Sequence, residues 1–379
     1  MFDYSYDPET GGLLLNDGTP QSSKEPRPVF SAEMRQLHMD DMWTFDFQND
    51  VPYMWAEAAN YYYRGELVAR TVGGSLYEAP KIEYNVSKDS DGNKCPALLQ
   101  GAQLLPVDIA EMVNRNTDIM AVIEQSTCKK IYDYYKRNKN KLDCFHVAFS
   151  GGKDSIVLLE LVYKALRNNF IVVFGDTKME FPDTYDIVNV VEKQCIERKI
   201  PFYRAASHFE PSESWRLFGP PSRVLRWCCT VHKAAPQTLK LREVLDKADY
   251  VGADFVGVRA AESFKRSEYE FESYGKKQKG HYSQNPILDW TSAEIWMYIF
   301  SRKLPINATY KKGNSRAGCL FCPMGGGKAD SIRMMSYPKD IEFYTNIIRG
   351  TVNDKNMDSY ITNGGWVNRK NGRDLVDNT

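Results

Sequence analysis

Ser150-Gly151-Gly152-Lys153-Asp154-Ser155 packs two glycines, a cation, a carboxylate and two hydroxyls into six positions. Glycines let a backbone turn tightly and approach a ligand, and the start of a helix aims unpaired N–H groups and a positive dipole end at the same point. The chemistry this suits is the holding of phosphate. A second set is Cys228-Cys229 with Cys319-Leu320-Phe321-Cys322-Pro323. Four thiolates can hold zinc, but adjacent cysteines reach one small tetrahedral ion awkwardly, whereas a cubane offers each sulfur its own iron. The pattern therefore favours [4Fe–4S], with zinc as the alternative. Cys95, Cys128, Cys144 and Cys195 are scattered and read as small buried hydrophobes, and eight cysteines without a pairing pattern suit a reducing compartment.

These residues need elements to position them. Phe145 to Phe149 is an apolar run of the kind buried in parallel sheets, and Ile156, Leu159, Val162, Tyr163 and Leu166 then recur at helical spacing. The six residues thus fall on a strand-loop-helix turn. Phe170 to Phe174 predicts a second buried strand, which delivers Asp176 and Thr177 to the carboxyl end of the sheet, where open α/β sheets bind ligands. Thr291 and Glu294 form a capping box ahead of an apolar helix. Val107 to about Tyr135 predicts one long helix, Val86–Lys94 a loop, and the Lys-rich Ser273–Gly280 a mobile loop over the site. The pattern of a nucleotide P-loop, GxxxxGK[ST], is absent, and Gly325-Gly326-Gly327-Lys328 also fails it.

The run SGGKDS resembles the PP-loop of the ATP pyrophosphatase and phosphoadenosine phosphosulfate reductase superfamily. The resemblance extends from about Phe145 to about Arg373. Asp176-Thr177-Lys178-Met179-Glu180-Phe181 is similar to the family's DTGxEF segment, with Lys178 where the family has Gly. Arg226-Trp227-Cys228-Cys229 through Lys233, and Gly257-Val258-Arg259 through Glu262 and Arg266, resemble two further blocks, and Asn285 to Thr291 resembles its NPLxDWT block. The CC…CxxC set is that of the iron-sulfur branch. The resemblance implies an α/β fold with a doubly wound, mostly parallel sheet of the adenine nucleotide alpha hydrolase-like type. It implies phosphate held by Ser150, Gly151, Gly152 and Ser155, charge from Lys153, and Mg²⁺ or loop geometry served by Asp154. Asp176, Thr177, Lys233 and Glu262 would line the nucleotide, while Arg259 and Arg266 are fork donors suited to phosphate. ATP or an adenylyl sulfate, Mg²⁺ and [4Fe–4S] are the implied cofactors.

Reductases of this kind attack sulfur with a cysteine on a C-terminal tail, and no cysteine follows Cys322 here. The Thr362–Arg373 ending instead resembles reductase-like proteins of prokaryotic DNA modification and defence systems. The expected activity is ATP pyrophosphatase chemistry that adenylates an acceptor for sulfur transfer, a nucleic acid being one acceptor class. Two alternatives stand: a phosphoadenylyl or adenylyl sulfate reductase using a partner's thiol, and a non-catalytic nucleotide-sensing module.

The chain has 379 residues, 42% hydrophobic, with no net charge. Residues 1–84 hold 14 acidic and 6 basic side chains, a net −8, which leaves +8 on the remainder. A basic catalytic region suits phosphate-bearing ligands. No run reaches the roughly 20 apolar residues of a membrane span, and the start lacks a leader's pattern, so a cytoplasmic protein is expected. Expected domains are a small aromatic-rich β module at 1–100, a helical connector at 101–141, the catalytic domain at 142–345 and a tail at 346–379. The aromatics from Trp43 to Tyr63 read as core rather than as base-stacking platforms. The sulfur donor, partner proteins and oligomeric state are not legible.

Overall fold

The structure is a computed structural model and describes residues 2–18, 25–88, 94–275, 281–325, 327–373 and 375–376. Its central sheet runs Phe202–Ala206, Ile171–Asp176, Cys144–Phe149, Gly252–Phe255, Tyr282–Gln284, Glu272–Tyr274 in spatial order. The first five strands are parallel and only Glu272–Tyr274 is antiparallel. From Cys144–Phe149 the chain winds outward on one side, then returns to the other side at Gly252–Phe255. That reversal is the switch point at which open parallel sheets bind ligands. Phe149 is in register with Phe174, so the loops at 150–155 and 176–180 leave neighbouring strands side by side.

Helix Lys153–Leu166 buries Val157, Leu158, Leu161 and Val162 completely. It is covered by helices Thr117–Asn138 and Ser292–Ser301. The latter begins at the expected cap: Glu294 N–H donates to Thr291 Oγ1 at 3.2 Å and Thr291 N–H to Glu294 Oε2 at 2.5 Å. The single helix expected over 107–135 is instead two, Ile109–Arg115 and Thr117–Asn138. Asn116 breaks it. Its buried side chain accepts from Leu15 N–H at 2.7 Å and donates to Leu13 O at 2.9 Å, tying the junction to an N-terminal hairpin.

The N-terminal part forms a five-stranded antiparallel sheet, Pro26–Val29, Met54–Glu57, Asn60–Tyr63, Glu66–Val72 and Lys81–Tyr84. Trp43, Phe45, Tyr53 and Tyr61 are buried in its core and Trp55 in that of the central sheet, as expected, whereas Phe47 is exposed. The stretch expected as a loop at 86–94 supplies the paired strands Val86–Lys88 and Lys94–Pro96. Ser273 lies in a strand, and the rest of the loop expected there falls largely on 276–280, outside the described residues.

Segment 346–379, expected as a tail, contributes helices. Pro338–Thr351, Met357–Thr362 and the turn Gly365–Asn368 build a second core with Trp215 and Phe321, where Phe321 stacks on Trp366 at 4.7 Å between ring centroids. Among the described residues, no helix is long and apolar enough to cross a membrane.

Candidate functional site

The phosphate-loop candidate sits where the sequence places it, between the strand ending at Phe149 and the helix starting at Lys153. Gly151 takes φ +70°, and a Cβ there would lie 2.8 Å from Thr184 Cγ2, so both conformation and space call for glycine. Ser155 Oγ donates to Gly152 O at 2.8 Å and accepts from Ser150 N–H at 3.3 Å, which closes the turn on itself. Asn307 donates to Gly151 O and to Thr184 Oγ1, both at 3.0 Å. The Tyr310 hydroxyl accepts from Lys153 N–H at 3.0 Å and from Ala317 N–H at 3.3 Å. The loop is thereby fixed to the segment that leads into Cys319.

Three of the candidate residues form one ionic chain. Lys153 Nζ lies 2.8 Å from Asp154 Oδ2, and Arg259 Nε 2.5 Å from Asp154 Oδ1. Burial alone would raise the Asp154 carboxyl, but Arg259 and Lys153 outweigh it and hold the group well below the usual carboxylate range. Arg259 is only 1% exposed, not the solvated charge that a lone arginine usually is. Gly257 makes this approach feasible, because a Cβ would come within 3.1 Å of the Asp154 backbone. Glu262 accepts from Arg259 N–H at 3.1 Å and pairs with Arg266, so it positions the arginines. The remaining fork of Arg259 is bidentate on Glu25, at 2.8 and 2.6 Å.

The other candidates gather on the far side of the loop. Asp176 Oδ1 accepts from Lys178 N–H at 2.8 Å and from the Tyr185 hydroxyl at 2.9 Å. Lys178, standing where the resembling family has glycine, adopts φ +57°, a left-handed backbone. Thr177 donates to Glu180 at 2.9 Å and sits 3.5 Å from Cys319 Sγ. Glu180 bridges antiparallel to Cys319, and Leu320 N–H donates to Met179 O at 2.7 Å, so the strand-end loop and the CxxC loop are one unit.

Cys228 and Cys229 begin a helical stretch, Trp227–Cys229, that continues through a π-helical turn at Thr230–Ala234 into Ala235–Leu245. Such turns recur at functional sites. Cys228 and Cys229 share a hydrogen bond that favours the thiol on Cys228 and the thiolate on Cys229, the latter also supported by Arg226, whose guanidinium lies 3.6 Å from it, and by Lys233. Cys228 is also raised by burial and by Cys229, Cys319 and Cys322, which places the four thiols in one neighbourhood. Burial would lower Lys233, but Glu180, Cys319, Cys229 and Cys322 together raise it. No three His, Cys, Asp or Glu side chains among the described residues are grouped closely enough for a single metal ion. The donor set, four thiols of which Cys229 is favoured as thiolate by Cys228, Arg226 and Lys233, fits in type a cluster that binds each sulfur at a separate iron.

Glu25, Tyr310, Asn307 and Glu180 escaped the sequence reading of the site. Glu180 lay in a quoted motif without a role, and Tyr310 followed Asn307, an Asx cap for helix Ala308–Lys311. Glu25 had no local signal, being 234 residues from Arg259.

A strand-loop-helix turn at the switch point of a mostly parallel sheet is where open α/β proteins bind ligands, and its helix N-terminus suits an anion. Residues 145–324 match the model of the phosphoadenosine phosphosulfate reductase domain, so this segment of the chain is PAPS-reductase-like. It is 34% identical to an uncharacterized protein of Methanocaldococcus jannaschii over 260 residues, covering 67% of this chain and 51% of that one. It is 28% identical to an adenosine 5′-phosphosulfate reductase of Halalkalibacterium halodurans over 218 residues, 57% of this chain and 88% of the relative. The chain spans about half the length of the first of these relatives. Among solved structures it is similar to a phosphoadenylyl-sulfate reductase from Candida auris (TM-score 0.38, 18% identity, 55% of this chain and 94% of that one). It is also similar to the U34-tRNA thiolase NcsA from Methanococcus maripaludis with its [4Fe-4S] cluster (TM-score 0.35, 14% identity, 61% and 78%).

Proposed function

We propose that the protein is a PP-loop ATP pyrophosphatase of the phosphoadenosine phosphosulfate reductase type that adenylates an acceptor oxygen for sulfur transfer. The observation that carries this reading is the juncture of two chemistries: the phosphate loop and the thiol neighbourhood meet through Tyr310, Thr177 and Cys319. An acceptor oxygen would attack the α-phosphorus of ATP, the bond to pyrophosphate would break, and pyrophosphate would leave. A sulfur nucleophile then displaces AMP, which departs with the bonding pair. The loop N–H groups, with Lys153 and Arg259, would orient and neutralise the phosphates. Mg²⁺ would share that neutralisation. Both carboxylate oxygens of Asp154 are engaged by cations, which favours loop geometry over metal binding as its role. Cys228, Cys229, Cys319 and Cys322 would hold a [4Fe–4S] cluster, which supplies redox-active iron and a link between segments far apart in sequence.

Calorimetry tests the nucleotide site: Gly152→Asp puts a carboxylate into the cradle and should abolish ATP binding, while unchanged affinity sinks the assignment. Anaerobic protein should carry about four irons per chain, the content of one cubane, and Cys319→Ser should lose them; one zinc and no iron would refute the cluster.

The reductase relative favours a second reading, reduction of an adenylyl sulfate by a partner's thiol. Within this chain, burial pushes the thiols of Cys128, Cys144 and Cys195 up, to about 11, 12 and 12. Cys144 also opens its strand, at the end opposite the phosphate loop. Sulfite formation by the pure protein with thioredoxin, at on the order of 1 per second, would replace the first reading by this one.

A further inference from the structure

A cavity of about 770 Å³ lies against the phosphate loop, and its lining comes from different parts of the chain. Lys153, Arg259 and Arg316 in its lining come from the segment that matches the family; Asn60 comes from the N-terminal sheet and Glu25 from the residue before its first strand. Within it, the Arg259 fork is a planar bidentate donor, 1% exposed and anchored from behind by Asp154. That geometry matches a carboxylate or a phosphate equally well. Glu25 fills it with two nearly parallel bonds, yet its own side chain is 32% exposed. One partner is therefore fixed in the protein and the other reaches it from a solvent-exposed position. The cavity lining carries a further mark: the turn at Ala58 and Ala59 holds Ala58 at φ +51°, a conformation costly for alanine.

We propose that this cavity is a phosphate-binding site formed jointly by the N-terminal sheet and the phosphate loop, and that a ligand phosphate exchanges with the Glu25 carboxylate on Arg259. Both are anions that accept two N–H bonds, so they compete for one fork, and Glu25 sets a threshold concentration for occupancy. The site rests on the nucleotide reading above, but its chemistry is tested without turnover. Inorganic phosphate is titrated by calorimetry into the full chain and into Glu25→Gln, which keeps the shape and removes the charge. Affinity should rise about tenfold or more in Glu25→Gln, and Arg259→Lys should weaken it in both backgrounds. Repeating the titration with a saturating non-hydrolysable ATP analogue separates the sources: loss of phosphate binding means that the nucleotide's own phosphate takes the fork, retention that an acceptor's phosphate does. A second measurement needs no variant. Saturating phosphate should increase amide hydrogen exchange at Arg27 and Val29 in the unmodified protein, since their strand begins beside Glu25. Unchanged or weaker phosphate affinity in Glu25→Gln, with unaltered exchange, would overturn the competition and leave Glu25 a tether between the two sheets. Failure of ATP to bind at all would sink the nucleotide reading alone, because the phosphate titration reads Arg259 directly.

Discussion

The ionic chain around Arg259 and the thiol neighbourhood around Lys233 both place buried cations beside anionic groups at the end of the same sheet, but they are satisfied differently. Around Arg259 the chain's own carboxylates, Asp154, Glu25 and Glu262, engage every direction of the fork and its backbone. Around Lys233 the negative partners are one carboxylate, Glu180, and three thiols, which carry charge only when deprotonated. The first region is held by permanent charges, and the second by charge that depends on the ionisation of the sulfurs. A region of the first kind should resist loss of a ligand and fail when a charge is removed; one of the second kind should do the reverse.

The largest effect expected from that contrast is at Asp154. Asp154→Asn leaves Lys153 without its buried partner, and unpairing a buried charge costs about 3–5 kcal/mol. The lower end, about 3 kcal/mol, is expected because Glu25 still pairs with Arg259, and urea unfolding measures it. The same group sets an acid limit. Its folded pKa is depressed, so its contribution is present above the ordinary carboxylate pKa, about 4, and is lost as pH falls from there toward the lower folded value. Unfolding free energy of the unmodified protein should drop over that window, and Asp154→Asn should flatten this part of the profile.

Next in size is Tyr310→Phe, which removes the acceptor of two backbone N–H groups beside a ring that is 3% exposed. Leaving buried donors unsatisfied costs about 1–3 kcal/mol. Because the hydroxyl bridges the two regions, nucleotide affinity and the ordering of the CxxC loop should fall together; a change in one alone would show that they are independent. The smallest effect is at Lys178. Lys178→Gly relieves a left-handed backbone and loses only a solvent-exposed pair with Glu210, so thermal unfolding should show a gain of up to about 1 kcal/mol.

The contrast also marks what was legible in the sequence. The turn at 150–155, the flanking strands and the Thr291 cap were readable because local periodicity and cap chemistry act over a few residues. The four cysteines were readable as a candidate set from type and spacing. Asn116 defeated the single-helix expectation because its partners, Leu13 and Leu15, are about 100 positions away. The Arg259 pairing with Glu25 was illegible for the same reason. Lys178 shows the converse: the departure from glycine was visible, but that the position keeps a positive φ is a property of the fold.

The aromatic stack of Trp215, Phe321 and Trp366 bears on how the chain is made. Synthesis proceeds from the amino end at about 5–20 residues per second. Phe321 and the neighbouring Cys319 and Cys322 therefore leave the ribosome seconds before Trp366 and the Pro338–Thr351 helix that seat them. Until then the phosphate loop can fold on its own sheet, while the CxxC loop lacks half of its core. Any group that these cysteines hold would thus be taken up late on the growing chain, after the phosphate-loop candidate has its sheet.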